Sequence, residues 1–161
     1  VKPGEKLERW IKETTHLTPT CASGAKFSDA DFRNNDRIYE AKSSTMNTGI
    51  RISKEHVIVL LQRSKKLLRD PVFIYMNKTG EKFAIVPLKV FVPEAARNPR
   101  DWIRLELTPP IVVSRSNGIS VKQHQLKDIP FDNFGVLKYE TKDGDQWIVC
   151  DAIHWLELVG D

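Results

Sequence analysis

A 161-residue chain that is 40% apolar and 29% charged is sized for one globular domain with a buried core. Apolar runs as short as Val57–Leu61 leave no helix able to span a bilayer, the opening VKPGEKLERW lacks the apolar stretch of a secretory signal, and two distant cysteines, Cys21 and Cys150, speak against zinc or disulfide scaffolds and for a reducing cytoplasm. The net charge of +4 is uneven: residues 1–92 carry 17 Lys/Arg against 10 Asp/Glu and residues 131–161 carry 2 against 7, so a polyanionic partner would meet the first segment.

Gly4–Thr14 reads as an amphipathic helix, with Leu7, Trp10 and Ile11 on one face and Glu5, Glu8, Arg9 and Lys12 around it. A loop of Thr, Pro, Ser and Gly follows over Thr14–Lys26. Two short strands are predicted at about Asp29–Phe32 and Arg37–Lys42, joined by a turn containing Asn34-Asn35. The polar loop Ser43–Gly49 leads to a helix capped at Ser53 and running to about Arg69, whose Val57, Leu60, Leu61, Ser64 and Leu68 fall at helical spacing and should face a sheet. Pro71–Met76 is a buried strand, and a turn at Lys78–Gly80 makes a hairpin into Phe83–Pro87. Beyond Pro93 the pattern weakens. Pro93–Glu106 is expected to be partly helical, despite Pro99. Ile111–Val113 and Ile119–Val121 flank an Asn117-Gly118 turn, Phe134–Thr141 and Gln146–Cys150 flank an Asp143-Gly144 turn, and Ala152–Val159 closes as a short helix. Helix, strand, strand, helix, strand, strand over residues 4–92 predicts an α/β core, a central mixed sheet flanked by helices. Residues 93–161 are then a β-rich extension packed on that core, extending the sheet or building a dimer contact.

The stretch Ser28–Ser44, SDADFRNNDRIYEAKSS, carries the chemistry. Strand side chains alternate faces, so Glu40 and Lys42 point the same way and Ala41 points into the core. If the turn is centred on Asn34-Asn35, Asp31 lies diagonally across the hairpin from Glu40, and Asp29 directly opposite it. Magnesium takes hard oxygen ligands, for which Asp31, Glu40 and the Ala41 carbonyl are candidates; Mn2+ would serve as well. Lys42 could orient the attacking water or steady charge building on a phosphate. An isolated ExK is common and also reads as a solvated strand edge. Ser23, Gly24 and Lys26 could let backbone N–H groups grip a phosphate, although a plain connection has the same composition. Arg51 and Lys54 stand near the constellation in sequence, whereas Arg63, Lys65, Lys66 and Arg69 complement the helix dipole or face solvent. His16, His56, His124 and His154 lack ligand spacing and read as structural or surface residues. Trp102, Trp147 and Trp155 read as core or interface. No GxSxG, P-loop or GxGxxG is present, which removes serine hydrolases, NTPases and dinucleotide enzymes.

The acid, the short hairpin and the ExK on the next strand resemble the PD-(D/E)xK nuclease superfamily. Over about residues 5–92, Ser23-Gly24, Asp31, IYEAKSS, Ile50–Lys54 and the helix that follows look like the small phage and archaeal-type Holliday junction resolvases. The resemblance implies a restriction-endonuclease-like core and Mg2+- or Mn2+-dependent hydrolysis of DNA, with Asp31, Glu40 and Lys42 catalytic. It implies a symmetric homodimer gripping DNA mainly through its phosphate backbone, in the cytoplasm of a bacterium or phage-infected host, with no membrane involved. Resolvases of this kind often add a glutamate from the first helix to the metal site; Glu8 is the candidate here and Glu5 the fallback. One departure is Ala30, where the family usually has Pro or Gly before its first acid, and Asp29 competes with Asp31 for the role. Two rival readings remain: a catalytically inactive nuclease fold kept as a DNA-binding or assembly module, and an interaction protein whose acidic residues 131–161 compete with DNA.

Overall fold

A computed structural model of the chain describes residues 3–20, 32–97 and 109–161. Asp29, Asp31, Ser23, Gly24, Lys26, Cys21, Trp102 and nearly all of the predicted strand at 29–32 therefore lie outside the described residues.

The architecture is α/β: a large mixed sheet between helical layers. Its strands, in chain order, are β1 (Thr18–Pro19), β2 (Phe32–Arg33), β3 (Arg37–Ser43), β5 (Asp70–Met76), β6 (Lys82–Pro87), β7 (Ile111–Val113), β9 (Leu137–Glu140) and β10 (Gln146–Asp151). They lie in the order β1-β2-β3-β5-β6-β10-β9-β7. A separate two-stranded ribbon pairs β4 (Ile50–Ile52) with β8 (Ile119–Val121). The helices are α1 (Pro3–Thr14), α2 (Lys54–Leu67), α3 (Leu88–Ala96), α4 (Gln123–Leu126) and α5 (Ala152–Val159), with a 3-10 turn at Phe131–Asn133.

Strand β5 shows why the sheet is central. Its run PVFIYM is buried from Pro71 to Met76, as an apolar strand without alternation must be when both faces are covered. Parallel pairing with β3 (Ile38↔Pro71 to Ser43↔Met76) and antiparallel pairing with β6 (Phe73↔Ile85, Tyr75↔Phe83) satisfy its backbone. Period-2 alternation then divides the core in two. Tyr39, Val72, Ile74, Ala84, Val86 and Cys150 form one cluster with Leu7 and Ile11 of α1, Phe91 of α3 and Trp155 of α5. Ile38, Phe73, Tyr75, Ile85, Trp147 and Val149 form the other with Val57 and Leu60 of α2 and the ribbon residues Ile50, Ile52, Ile119 and Val121.

Residues beyond 92 are woven into this frame. Strand β10 pairs with β6 from Trp147↔Pro87 to Asp151↔Phe83 and with β9 on its other side, so the extension continues the sheet. The Asp143-Gly144 hairpin and the helix Ala152–Val159 form as the pattern predicts, the helix capped by the Asp151 carboxylate and closed by Gly160 at φ 73°.

Strands β7 and β8 flank the Asn117-Gly118 turn as expected, each with a partner elsewhere: β7 lies parallel to β9 and β8 crosses to β4. Three expectations need correction. The third helix begins at Leu88, not Pro93, because Val90, Phe91 and Ala95 find buried places on the sheet. Leu68 does not face the sheet; it is 90% exposed and ends α2 in the left-handed conformation, φ 53°. The hairpin after β2 is not centred on Asn34-Asn35, since the described pairs are Phe32↔Tyr39 and Arg33↔Ile38. Asn34 Oδ1 accepts the N–H groups of Asp36 and Arg37, which moves the turn towards Asp36.

Candidate functional site

Strand β3 carries the site, and its alternation is the one the sequence dictates. Tyr39 packs on the α1 side with Ala41 half-buried beside it, whereas Ile38, Glu40 and Lys42 share the α2 side. Lys42 Nζ lies 3.4 Å from Glu40 Oε1. Arg63, from the third turn of α2, places its NH1 3.5 Å from Glu40 Oε2. The carboxylate thus faces an ammonium on one oxygen and a guanidinium on the other, with side-chain exposures of 15% for Glu40, 26% for Lys42 and 16% for Arg63. Held from both sides, the carboxylate has its direction fixed by these two pairs.

The N-terminus of α2 adds a histidine. Ser53 caps the helix by accepting the His56 N–H at 3.4 Å, and its hydroxyl lies 3.0 Å from His56 Nδ1. Burial lowers the His56 pKa below the ordinary 6.5 and the Lys42 charge lowers it further, against an opposing pull from Glu55.

The ribbon brings further cations. Arg51 is exposed on β4, Lys54 is exposed as the first residue of α2, and the register sets Ser120 opposite Arg51 with Lys122 following on the same strand end. Backbones approach closely here: a Cβ on Gly49 would stand 2.0 Å from the Val121 carbonyl oxygen, and one on Gly118 would stand 2.7 Å from that of Ile52. Tyr139 of β9 ties the ribbon to the main sheet, donating to the Gly118 carbonyl at 2.9 Å and accepting the Ser120 N–H at 3.0 Å.

Of the predicted residues, the structure brings Glu40 and Lys42 together, sets Ala41 between them in the strand, and exposes Arg51 and Lys54 on elements flanking them. Glu8 is half-buried on α1, whose Leu7 and Ile11 pack on the Tyr39 side of the sheet, the layer across from Glu40. Asp31, Ser23, Gly24 and Lys26 lie outside the described residues. The described pairs of the β2–β3 ladder are Phe32↔Tyr39 and Arg33↔Ile38, the first of them adjacent to Glu40 in β3. Among the described residues no three His, Cys, Asp or Glu side chains are grouped to hold a metal ion. Sequence reasoning missed Arg63 and His56, which it left as solvent-facing or structural. Their signal was present: seven residues apart, they sit on one side of α2, bordering the buried Val57–Leu60 stripe. A cavity of about 660 Å³ where β5 begins, lined by Leu61, Lys65, Leu88, Val92 and Trp147 among others, includes none of these residues.

No protein-family model matches the chain, and no curated protein or solved structure is significantly similar to it.

Proposed function

We propose that the protein is a divalent-metal-dependent DNA endonuclease, with a branched substrate of the Holliday-junction kind as its target and a symmetric dimer as its working form. The observation that carries the reading is the pairing of Glu40 with Lys42, 3.4 Å apart on one face of a central strand and overlooked by a basic helix. A hard carboxylate donor suits Mg2+ or Mn2+, which bind through one or two protein carboxylates and fill the remaining positions with water and substrate phosphate. Glu40 is that donor among the described residues, and Asp31 is the second in the proposal, with the Ala41 carbonyl as a further candidate; Glu8, on the opposite layer of the sheet, drops out of the ligand set. When bound, such an ion lowers the pKa of a coordinated water. Lys42 holds the water in line and offsets charge on the phosphate. Arg51, Lys54 and the ribbon neighbour Lys122 grip the DNA backbone without reading bases.

A cleavage panel of single-stranded, duplex, flap and four-way DNA, with and without Mg2+, tests the proposal. Cutting should require the metal, and Asp31→Asn, Glu40→Gln and Lys42→Ala should each abolish it while DNA binding and the unfolding midpoint hold. Full activity in all three variants ends the reading.

The second reading, an inactive nuclease fold used as a DNA-binding or assembly module, draws on a specific observation: each Glu40 oxygen already faces a cation. Its mark would be DNA binding that is indifferent to Mg2+ and to Glu40→Gln. Of the acids in residues 131–161, Asp161 pairs with Arg37, Asp151 caps α5 and Asp143 accepts from Asn117 Nδ2.

A further inference from the structure

We infer that Arg63 is a resident counter-ion of Glu40 that an incoming divalent cation has to displace, so that α2 sets how tightly the site takes its metal. The inference rests on the metal-dependent reading above. It starts from the division of the carboxylate: Oε1 faces Lys42, two residues along the same strand, while Oε2 faces Arg63, from another element and 23 positions further along the chain. Lys42 is where strand periodicity puts it. Arg63 is there because α2 docks its Val57–Leu60 stripe on the sheet.

A guanidinium keeps its charge at every accessible pH, so this competitor is permanent. The side chains of Glu40 and Arg63 are about five-sixths buried, and screening by water is correspondingly reduced. A magnesium ion sits about 2.0–2.1 Å from a ligating oxygen. An ion on Oε2 would share that oxygen with the guanidinium, and two like charges around one carboxylate weaken each other's hold. Arg63 has an alternative: released from Oε2, its planar donors match a phosphate group. Metal entry and backbone contact then become one exchange of partners, with Arg63 passing from the carboxylate to the DNA.

Manganese titrations by calorimetry and electron paramagnetic resonance test this without any cleavage assay. The proteins compared are the unaltered chain, Arg63→Met, Arg63→Gln, Arg63→Lys, Glu40→Gln and the Arg63→Met/Glu40→Gln double variant, each checked for folding by its unfolding midpoint. Removing the charge should tighten Mn2+ binding by about tenfold or more. Arg63→Lys should stay near the unaltered protein, and Glu40→Gln should abolish binding in either background. If Arg63→Met fails to fold, Arg63→Gln serves the same comparison. Equal or weaker Mn2+ binding in both neutral variants, still dependent on Glu40, overturns the displacement and leaves the metal reading standing. Absence of Glu40-dependent binding in every protein overturns both.

Discussion

At the scale of single residues, the proposed site is backed by a buried polar network on the other side of β3. Arg37 Nε lies 2.7 Å from Asp161 Oδ2 and Asn34 Nδ2 lies 2.8 Å from Asp161 Oδ1; the Tyr39 hydroxyl donates to the same carboxylate and accepts the Trp155 N–H at 3.1 Å. Every group has a partner, which is what makes burial of a charge tolerable. Since Tyr39 is the residue before Glu40, the network anchors the backbone that presents the carboxylate. It also gives a pH dependence. Burial raises the Tyr39 pKa well above its ordinary 10.0, and the Asp161 charge adds to the rise. Above pH 10.0 the unfolded chain releases the phenol proton while the folded chain keeps it, so the unfolded state binds fewer protons and stability falls as pH rises. Below that value the contribution is fully present. Denaturant midpoints followed from neutral pH into the alkaline range should therefore fall more steeply for the unaltered protein than for Tyr39→Phe. Parallel curves would show that Tyr39 is not the group responsible.

At the scale of elements, α2 does most to build the site, and it ends at a cost. Leu68 closes it in the left-handed conformation, φ 53° and ψ 45°, with its N–H bonded to the Ser64 carbonyl and its side chain 90% exposed. A leucine there is strained by about 1–2 kcal/mol with no burial to offset the strain. Leu68→Gly should stabilise the protein by about 0.5–1 kcal/mol, glycine's larger unfolded-state entropy consuming part of the gain. A denaturant midpoint that stays level or falls would mean that the exposed leucine has a contact worth keeping. Helix α2 also shows what a sequence can and cannot disclose. Its Ser53 cap and apolar stripe were legible because they are local, as were β5, the Asp143-Gly144 hairpin and both ends of α5. Leu68 was misread because helical spacing continues through a residue that the backbone has already turned. The ribbon was illegible for a different reason: Arg51 finds Ser120 from 69 residues away, and nothing in the spacing of either strand names the other. Pro93 concealed the start of α3, reading as the first residue of a helical stretch where the helix already runs from Leu88 with Val90, Phe91 and Ala95 buried. Within the site, the Glu40–Lys42 pair follows from strand alternation alone. Arg63 needed the docking of a helix, which periodicity suggests but does not orient.

At the scale of the whole molecule, residues 1–92 and residues 93–161 read as core and extension in the sequence, but their described parts form one continuous structure. Strand β10 pairs with β6 from Phe83 to Pro87 and β8 completes β4, while α5 packs Trp155 among Phe91, Ile74 and Tyr39. Trp147, Ile148, Val149, Trp155 and Leu156 are all buried, and each contributes about 1.5–3 kcal/mol by leaving water. Together they amount to about the net stability of an entire domain, some 5–15 kcal/mol. Cutting the chain after residue 92 also strips β6 of a partner and leaves an open apolar strand edge. A 1–92 fragment should therefore show no cooperative thermal unfolding and should aggregate. A 1–130 fragment should behave alike, because it lacks β9, β10 and α5 and leaves Arg37 buried without Asp161, an unpaired charge costing about 3–5 kcal/mol. Circular dichroism during a thermal scan, with sedimentation to detect association, decides the matter. A sharp transition from a monomeric 1–92 fragment would establish it as an independent domain and return residues 93–161 to the status of an appendage. Loss of the transition in both fragments would mean that the Glu40–Lys42 pair is positioned by the full sheet, and that its chemistry has to be assayed on the intact chain.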